Sequence, residues 1–265
     1  MKSRITLVGK RDRQFFYIFF AILFAMLLST TFYTRFNPFE IIMRAEAFWI
    51  FLNEDFIPPA IANPAAVMQA IAVTFAMAII STFIAMFLAF FSAVFASTRT
   101  APAPRLAKYV RAVVTMIRNI PSLIWALILF SALGIGAGVA VIALVISSYG
   151  FLTRTFTEVI DELPSDALEP LTACGCTFGQ KVFHCVLPNC IIGLMEWFLF
   201  SFEINIRSTT IVGMVGGGGI GLVLFRFIRS FNYQAAAGII LIIALMVIVV
   251  ELFMNILRKK LLVFR

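Results

Sequence analysis

The chain has 265 residues, of which 62% are hydrophobic and 13% are charged, and its formal net charge is +8. Soluble domains carry about 25% charged and about 45–50% apolar residues, so this supply of polar side chains cannot cover a water-soluble surface. The composition indicates an all-α, polytopic membrane protein in contact with lipid. The basic residues are divided among separate segments, and no nucleic-acid-binding motif is recognisable, which excludes nucleic acid as a partner.

The first apolar run follows a basic tail and covers 15–34. A helix that rises about 1.5 Å per residue needs about 20 residues to cross a bilayer, and this run is long enough. The apolar part of a secretory signal is shorter, and no small-residue cleavage pattern follows here. We therefore predict that 1–66 forms a cytoplasmic tail, a first transmembrane helix and a periplasmic loop.

Five further apolar runs predict membrane helices and bring the number of expected spans to about six. These runs cover 67–96, 109–133, 137–157, 189–212 and 233–257. Gly134, Gly136 and Gly138 predict a tight turn between the third and fourth spans. Together, 67–265 are predicted to form the core transmembrane domain, with 158–188 as its longest cytoplasmic loop.

The distribution of basic residues predicts the orientation of these spans. With the N-terminus in the cytoplasm, fifteen of the 21 Lys and Arg residues fall on the cytoplasmic side: Lys2, Arg4, Lys10, Arg11, Arg13, Arg99, Arg105, Lys108, Arg111, Arg154, Lys181, Arg258, Lys259, Lys260 and Arg265. Cytoplasmic loops of membrane proteins carry such an excess. Both termini are therefore predicted to be cytoplasmic, and membrane orientation accounts for the positive net charge.

The loop at 158–188 is polar and bounded by prolines. Leu-Pro-Ser-Asp at 163–166 is a helix-start signal, in which the serine or the aspartate can cap the helix. Glu169 would then lie in the first turn, where the helix dipole favours a negative charge. Gly175 is expected to end that helix, and Thr177 can begin a second short helix that ends at Leu187-Pro188.

The same loop resembles the cytoplasmic motif of binding-protein-dependent ABC importer permeases: E-A-A, three residues, G, nine residues, I-x-L-P. Pro170 and Leu171 replace the two alanines, and Cys185 replaces the isoleucine. In that family the loop docks into a groove on a separate ATPase subunit. The resemblance thus implies that ATPase coupling involves Glu169, Ala173, Gly175, Leu187 and Pro188. On spacing alone, an ordinary amphipathic connector is the alternative.

Two further stretches resemble the phosphonate-type permeases, which include phosphite and phosphate-ester importers. RNIPSLIW at 118–125 is similar to their R-x-I-P-x-L-I-W run, and FEINIRSTTIVGMVGGGGIG at 202–221 to their F-E-x-N-x-R-S…GLVGAGGIG stretch. The resemblance spans roughly 67–260. It implies the type I ABC importer permease fold, similar to that of methionine permeases, in the bacterial inner membrane.

The resemblance also implies a function and partners. The chain would be the permease subunit of an ATP-driven importer that moves phosphonate or a related phosphorus oxyanion into the cytoplasm. Expected partners are a second permease copy, two cytoplasmic ATPase subunits and a periplasmic or lipid-anchored substrate-binding protein. No G-x4-G-K-[ST] phosphate loop occurs, so we expect no catalytic residue and no bound cofactor here, with ATP and Mg on the ATPase. The alternatives are a permease for another small solute such as methionine, or a secondary transporter.

Ionisable residues inside the predicted spans are candidates for function, because a charge at mid-bilayer costs about 2.5–3.5 kcal/mol and must face protein or water. Glu203 and Arg207 are four residues apart and can pair on one helix face. We predict a translocation pathway that involves Arg118, Asn119, Pro121, Glu203, Asn205 and Arg207. The alternative is that the Glu203–Arg207 pair is a structural clamp within the bundle.

Two other patterns have weaker functional interpretations. The run 216–221 formally contains G-x-G-x-x-G, but no strand precedes it, so we interpret it as a gate or as close helix packing. The residues assigned to that role are Gly213, Gly216, Gly218, Gly219 and Gly221. The four cysteines begin with a C-x-C pair, which is too tight for structural zinc. We therefore expect no metal site, with an intramembrane metalloenzyme as the alternative.

Overall fold

The computed structural model describes residues 10–263, and every regular element in that range is helical. This confirms the predicted all-α fold. Lys2, Arg4 and Arg265, which entered the orientation argument, lie outside the described residues. The chain divides into two compact units, with the boundary between Asp55 and Phe56.

The N-terminal unit contains α1 (Lys10–Tyr33), α2 (Pro38–Met43) and α3 (Ala45–Phe51), and a π-helical turn follows at Leu52–Phe56. α1 is long and apolar enough to cross a membrane, as predicted for 15–34. The side chain of Asn37 accepts a hydrogen bond from the backbone N–H of Phe39 at 3.1 Å and caps α2.

The second unit contains α4 (Pro64–Ala96), α5 (Pro104–Asn119), α6 (Ser122–Leu133), α7 (Ala137–Asp161), α8 (Ser165–Ala173), α9 (Phe178–Lys181), α10 (Leu187–Val212), α11 (Gly219–Arg229) and α12 (Tyr233–Val263). Among the described residues, five helical segments are long and apolar enough to cross a membrane, or six if α5 and α6 count as one span. The predicted number of about six spans is therefore confirmed.

α4 lies at the centre of this unit and packs extensively against α7. The side chain of Asn63 accepts a hydrogen bond from Ala66 N at 3.2 Å, and Pro64 occupies the first turn, so the start of α4 is well defined. The buried face of α4 is lined by small residues: Ala70, Ala78, Ala85, Ala89 and Ala93. Small side chains let helix backbones approach closely, which is the common way to pack helices within lipid.

The predicted third span at 109–133 is wrong as a single helix. α5 and α6 meet at an angle of 86°. Pro121 causes the break, because its ring excludes the preceding residue from helical geometry, and Ile120 is extended at φ −94° and ψ 119°. The indole N–H of Trp125 donates to the backbone oxygen of Ile117 at 3.4 Å across the bend. The predicted glycine turn follows α6, where Gly134 has φ +89°.

The prediction that a short helix ends at Leu187-Pro188 is also wrong. α9 continues through a π-helical turn at Val182–Val186 into α10, and the apolar helical segment runs from Phe178 to Gly217. Pro188 lies in the first turn of α10. The preceding π-helical turn changes the hydrogen-bond register, so the helix accommodates the missing N–H of this proline. Asn189 Nδ2 donates to the oxygen of Cys185 at 2.7 Å across the same turn.

Candidate functional site

The connection between α7 and α10 has the predicted order of helix, glycine turn and helix. α8 ends at Ala173, Gly175 follows with φ +76°, and Thr177 caps α9. Thr177 N donates to Gln180 Oε1 at 2.8 Å, and Gln180 N donates to Thr177 Oγ1 at 3.4 Å. These reciprocal bonds form a capping box. The side chains of Ser165 and Asp166, the predicted caps of α8, lie outside the described residues.

Two details of α8 differ from the sequence prediction. The helix begins at Ser165, so Glu169 is its fifth residue and lies beyond the first turn. Pro170 is therefore inside the helix, where it removes a backbone donor from a segment of only nine residues. Glu169, Ala173 and Gly175 are exposed, Leu187 is half-buried and Pro188 is exposed. The first three residues present one open surface at the tip of the connection.

The remainder of this connection is attached firmly to the ends of the long helices. Val182 and Val186 are buried in a cluster with Leu152, Phe156 and Ile160 of α7. The Cys185 thiol donates to the oxygen of Ala167 at 3.3 Å, which joins the π-helical turn to α8. The rings of Phe95 in α4 and Phe178 in α9 stack with their centroids 5.7 Å apart. The connection is therefore in contact with α4 and α7 and continuous with α10.

Asp161, the last residue of α7, accepts several hydrogen bonds and forms an ion pair, and the sequence analysis did not identify it. Its Oδ1 accepts hydrogen bonds from Ser97 Oγ at 2.7 Å, from Thr98 N at 2.7 Å and from Thr98 Oγ1 at 2.9 Å. Arg111 Nη2 bonds Oδ2 at 2.7 Å, while its Nε donates to the oxygen of Ala96 at 2.6 Å. One carboxylate thus joins the end of α7 to the end of α4 and to the middle of α5. The available sequence signal was a group of acidic residues, Glu158, Asp161 and Glu162, at the end of an apolar helix.

The predicted pair of Glu203 and Arg207 exists and belongs to a larger ionic network. Glu203 is only 7% exposed. Its Oε1 accepts from Arg207 Nη2 at 2.7 Å, and its Oε2 accepts from Arg258 Nη2 of α12 at 2.9 Å. Arg207 also lies 3.7 Å from Glu251 of α12. The network joins α10 to α12, and its members in α12 were missed because they are far away in sequence.

Asn205 points into a different polar cluster at the centre of the bundle. Its Oδ1 accepts from Ser148 Oγ of α7 at 2.9 Å, and its Nδ2 donates to Thr82 Oγ1 of α4 at 2.8 Å. Asn205 is 3% exposed, so these bonds satisfy a buried amide in an apolar setting. The residue therefore holds three helices together, and its predicted place in the pathway remains a prediction.

Arg118, Asn119 and Pro121 lie at the bend between α5 and α6. All three are exposed, and within the described part of the chain no ion pair joins Arg118 to Glu203. The backbone of Arg118 packs against Gly150 of α7, where an added Cβ would lie 3.1 Å from Arg118 N. The structure thus separates the predicted pathway residues into the α5–α6 bend and two clusters on α10.

The glycine-rich run forms the chain reversal between α10 and α11. Gly216 has φ +123°, a conformation that disfavours any side chain, and a Cβ added to Gly221 would collide with the oxygen of Thr210. Ile220 N donates to Thr74 Oγ1 of α4 at 2.9 Å, which fixes the start of α11. Close packing accounts for this geometry. The predicted members of the run are all in this reversal or its first helical turn: Gly213, Gly216, Gly218, Gly219 and Gly221.

The cysteines are dispersed. Cys174 is exposed, Cys176 is half-buried, and Cys185 and Cys190 are buried, all as free thiols. Within residues 10–263 no group of three or more His, Cys, Asp or Glu side chains could hold a metal ion. The expectation of no metal site stays a prediction.

Comparisons with known proteins agree with the helix arrangement. Residues 85–263 match the family described as "Binding-protein-dependent transport system inner membrane component". The phosphite transport system permease protein of Stutzerimonas stutzeri is 31% identical over 239 residues, which cover 90% of this chain and 87% of that protein. The phosphate-import permease protein of Mycolicibacterium smegmatis is 31% identical over 72% of this chain and 36% of its own length.

Among solved structures, an inward-facing form of the MetNI methionine ABC transporter superposes with a TM-score of 0.67. The match covers 76% of this chain and 99% of the other at 20% identity. At that identity the likeness concerns the fold alone, and it confirms the predicted similarity to methionine permeases.

The ionic network yields a testable expectation. Glu203→Gln removes the charge that compensates Arg207 and Arg258, and breaking a buried ion pair costs about 3 kcal/mol. We expect the apparent Tm of the purified protein in detergent to fall by roughly 5–10 °C. Glu196→Gln is the matched control, because Glu196 is exposed on the same helix. An unchanged Tm for Glu203→Gln would show that the network contributes little to stability.

Proposed function

This chain belongs to the binding-protein-dependent transport system inner membrane components, and from that premise we propose that it imports phosphite or a closely related phosphorus oxyanion. Membership makes it the permease component of an ABC importer. The observation that carries the choice of substrate is the 31% identity to a phosphite permease over 90% of this chain.

The positions of the cationic residues support an anionic solute. Arg118 is exposed at the α5–α6 bend, and the side chain of Arg207 is 50% exposed on α10. A charged group in a membrane protein must face protein or water, so both arginines are suited to a polar passage. The charge of Arg207 would lower the electrostatic barrier for an anion. Glu203 and Glu251 partly neutralise Arg207, so the anion would not be trapped there.

The family implies an ATPase and a substrate-binding protein as partners. We assign the permease a homodimeric state, with two cytoplasmic ATPase subunits that bind ATP and Mg, and a periplasmic or lipid-anchored binding protein. The exposed surface of Glu169, Ala173 and Gly175 would contact the ATPase. The proposed orientation places this surface, and both chain termini, in the cytoplasm.

The geometry suggests how nucleotide binding drives transport. Closure of the ATPase pair would displace α8 and α9, and the buried contacts of Val182 and Val186 with α7 would carry that displacement into the bundle. α10 is continuous with α9, so its polar residues would move with the loop. The chain would thus alternate between outward-open and inward-open states whose populations the ATPase sets. It performs no bond chemistry in this scheme.

Uptake by the reconstituted transporter tests the substrate and the energy source. With its own ATPase and binding protein in proteoliposomes, we expect ATP-dependent uptake of phosphite or methylphosphonate and none of methionine. Methionine uptake alone would overturn the substrate proposal. Uptake that continues with a hydrolysis-deficient ATPase and follows the proton gradient would instead identify a secondary transporter.

Gly175→Val tests the coupling surface. A β-branched residue at φ +76° costs about 1–2 kcal/mol in the backbone, although no heavy atom lies within 4 Å of the added Cβ. We expect normal membrane insertion with at least tenfold lower uptake or loss of the ATPase from the purified complex.

Two variants control for that experiment. Gly179→Val adds the same side chain in helical α9, also with no heavy atom within 4 Å, and should transport normally. Gly175→Asn should retain most activity, because asparagine tolerates positive φ. Full uptake by Gly175→Val would remove this glycine from the coupling surface.

Thiol labelling tests the orientation. Cys174 is exposed beside Gly175, whereas Cys185 and Cys190 are buried. We expect an impermeant maleimide to leave Cys174 unmodified in intact spheroplasts and to label it after permeabilisation. Cys174→Ser provides the background signal. Labelling of Cys174 in intact spheroplasts would place the loop outside the cell and overturn the coupling scheme.

A further inference from the structure

A polar cavity of about 190 Å³ lies between α5 and α7, at the end of the bundle that carries the α8–α9 connection. Its lining includes Arg111, Thr115, Thr153, Arg154, Thr157 and Glu158, and it extends to Asp161. One water needs roughly 10–15 Å³ of such space, so the cavity is large enough for a small solute. Arg154, which was counted with the cytoplasmic basic residues, lies within α7.

Thr153 gives this cavity an unexplained polar group. The residue is 0% exposed, and its hydroxyl has no hydrogen-bond partner among the described residues. The other two threonines of the lining are satisfied locally: Thr115 donates to the oxygen of Arg111 at 2.7 Å, and Thr157 donates to that of Thr153 at 2.6 Å. A buried hydroxyl without a partner is costly, so it requires an explanation such as a bound ligand.

Two guanidinium groups with unused donors border the same space. Arg111 donates through Nε to Ala96 O and through Nη2 to Asp161, and the described part of the chain provides no partner for its Nη1. Arg154 donates through Nε to Glu158 at 2.8 Å, and both of its Nη groups are without a partner there. Planar, charged donors of this kind bind phosphorus oxyanions through several bonds at once.

We propose that this cavity is a binding site for a phosphorus oxyanion, held by Thr153 Oγ1 and by free donors of Arg111 and Arg154. The assignment rests on the proposed function and adds a second anion-binding site to the proposed pathway. Arg118 lies on the same α5–α7 seam, because its backbone packs against Gly150, one turn before Arg154. The site thus continues from the predicted pathway residue toward the end of the bundle near α8.

The two carboxylates explain how such a site could release its ligand. Asp161 and Glu158 neutralise the arginines when the cavity is empty, so the net attraction for an anion is moderate. Conduction requires sites that are favourable enough to enter and weak enough to leave. An oxyanion that draws Arg111 from Asp161 would break the ion pair that joins α5 to the end of α7.

Thr153→Val tests the site with a matched control. Valine replaces the unpartnered hydroxyl with a methyl group of nearly the same shape, so the ligand-free protein should be as stable as the wild type. Thr155→Val changes a residue of the same helix whose hydroxyl already donates to Leu152 O at 3.2 Å. In the permease–ATPase complex without the binding protein, we expect phosphite binding to weaken at least tenfold for Thr153→Val and for Arg154→Gln. It should be unchanged for Thr155→Val.

A lipid headgroup offers the same phosphate chemistry, so the binding assay is run in two nanodiscs. Phosphite binding both in phosphatidylcholine discs and in discs containing phosphatidylglycerol supports a soluble oxyanion as the ligand of this site. Occupation by phosphatidylglycerol alone would overturn the proposal. If the wild-type protein takes up phosphite and Thr153→Val binds phosphite as tightly as the wild type, the proposed site is overturned and the proposed function stands. Absence of wild-type uptake of both phosphite and methylphosphonate would reject the site and the proposed function together.

Discussion

The low dielectric of the bilayer interior is the constraint on which this structure depends. A charge or an unpaired hydrogen-bonding group costs several kcal/mol in hydrocarbon, so polar side chains must find partners within the protein or face water. Glu203 meets this condition by binding two arginines, and Asn205 by bonding to hydroxyl groups of α4 and α7. The polar contacts are consequently the ones that join helices, while the apolar residues fill the space between them.

The contacts divide into two groups along the bundle. Near the α8–α9 connection, Asp161 joins three helices, and buried valines hold the connection against α7. Elsewhere, the Glu203 network holds α10 against α12, and the hydrogen bond of Ile220 holds the start of α11 against α4. A protein that converts movement of a surface loop into movement of a pathway needs both a well-attached loop and helices that move with it.

The sequence was informative where interactions are local. The order of helix, glycine and helix around Gly175 follows from caps and a positive φ, and the pairing of Glu203 with Arg207 follows from a spacing of four residues. It was insufficient where partners are distant: Arg258 is 55 positions after Glu203, and Ser97 is 64 positions before Asp161. Proline effects also depended on context. Pro121 separates two helices at 86°, whereas a π-helical turn precedes Pro188 and the helix continues.

The continuity of α9 and α10 has a mechanical consequence. The helical segment that begins at Phe178 passes through the π-helical turn at Val182–Val186 and ends at Gly216, where φ is +123° and the backbone leaves helical geometry. A π-helical turn contains one more residue than an α-helical turn. Small changes of hydrogen-bond register there absorb torsion without breaking the helix. A rotation applied at the α8–α9 connection can therefore pass along α10 to the glycine-rich segment, and the π-helical turn near the connection is where this helix can yield.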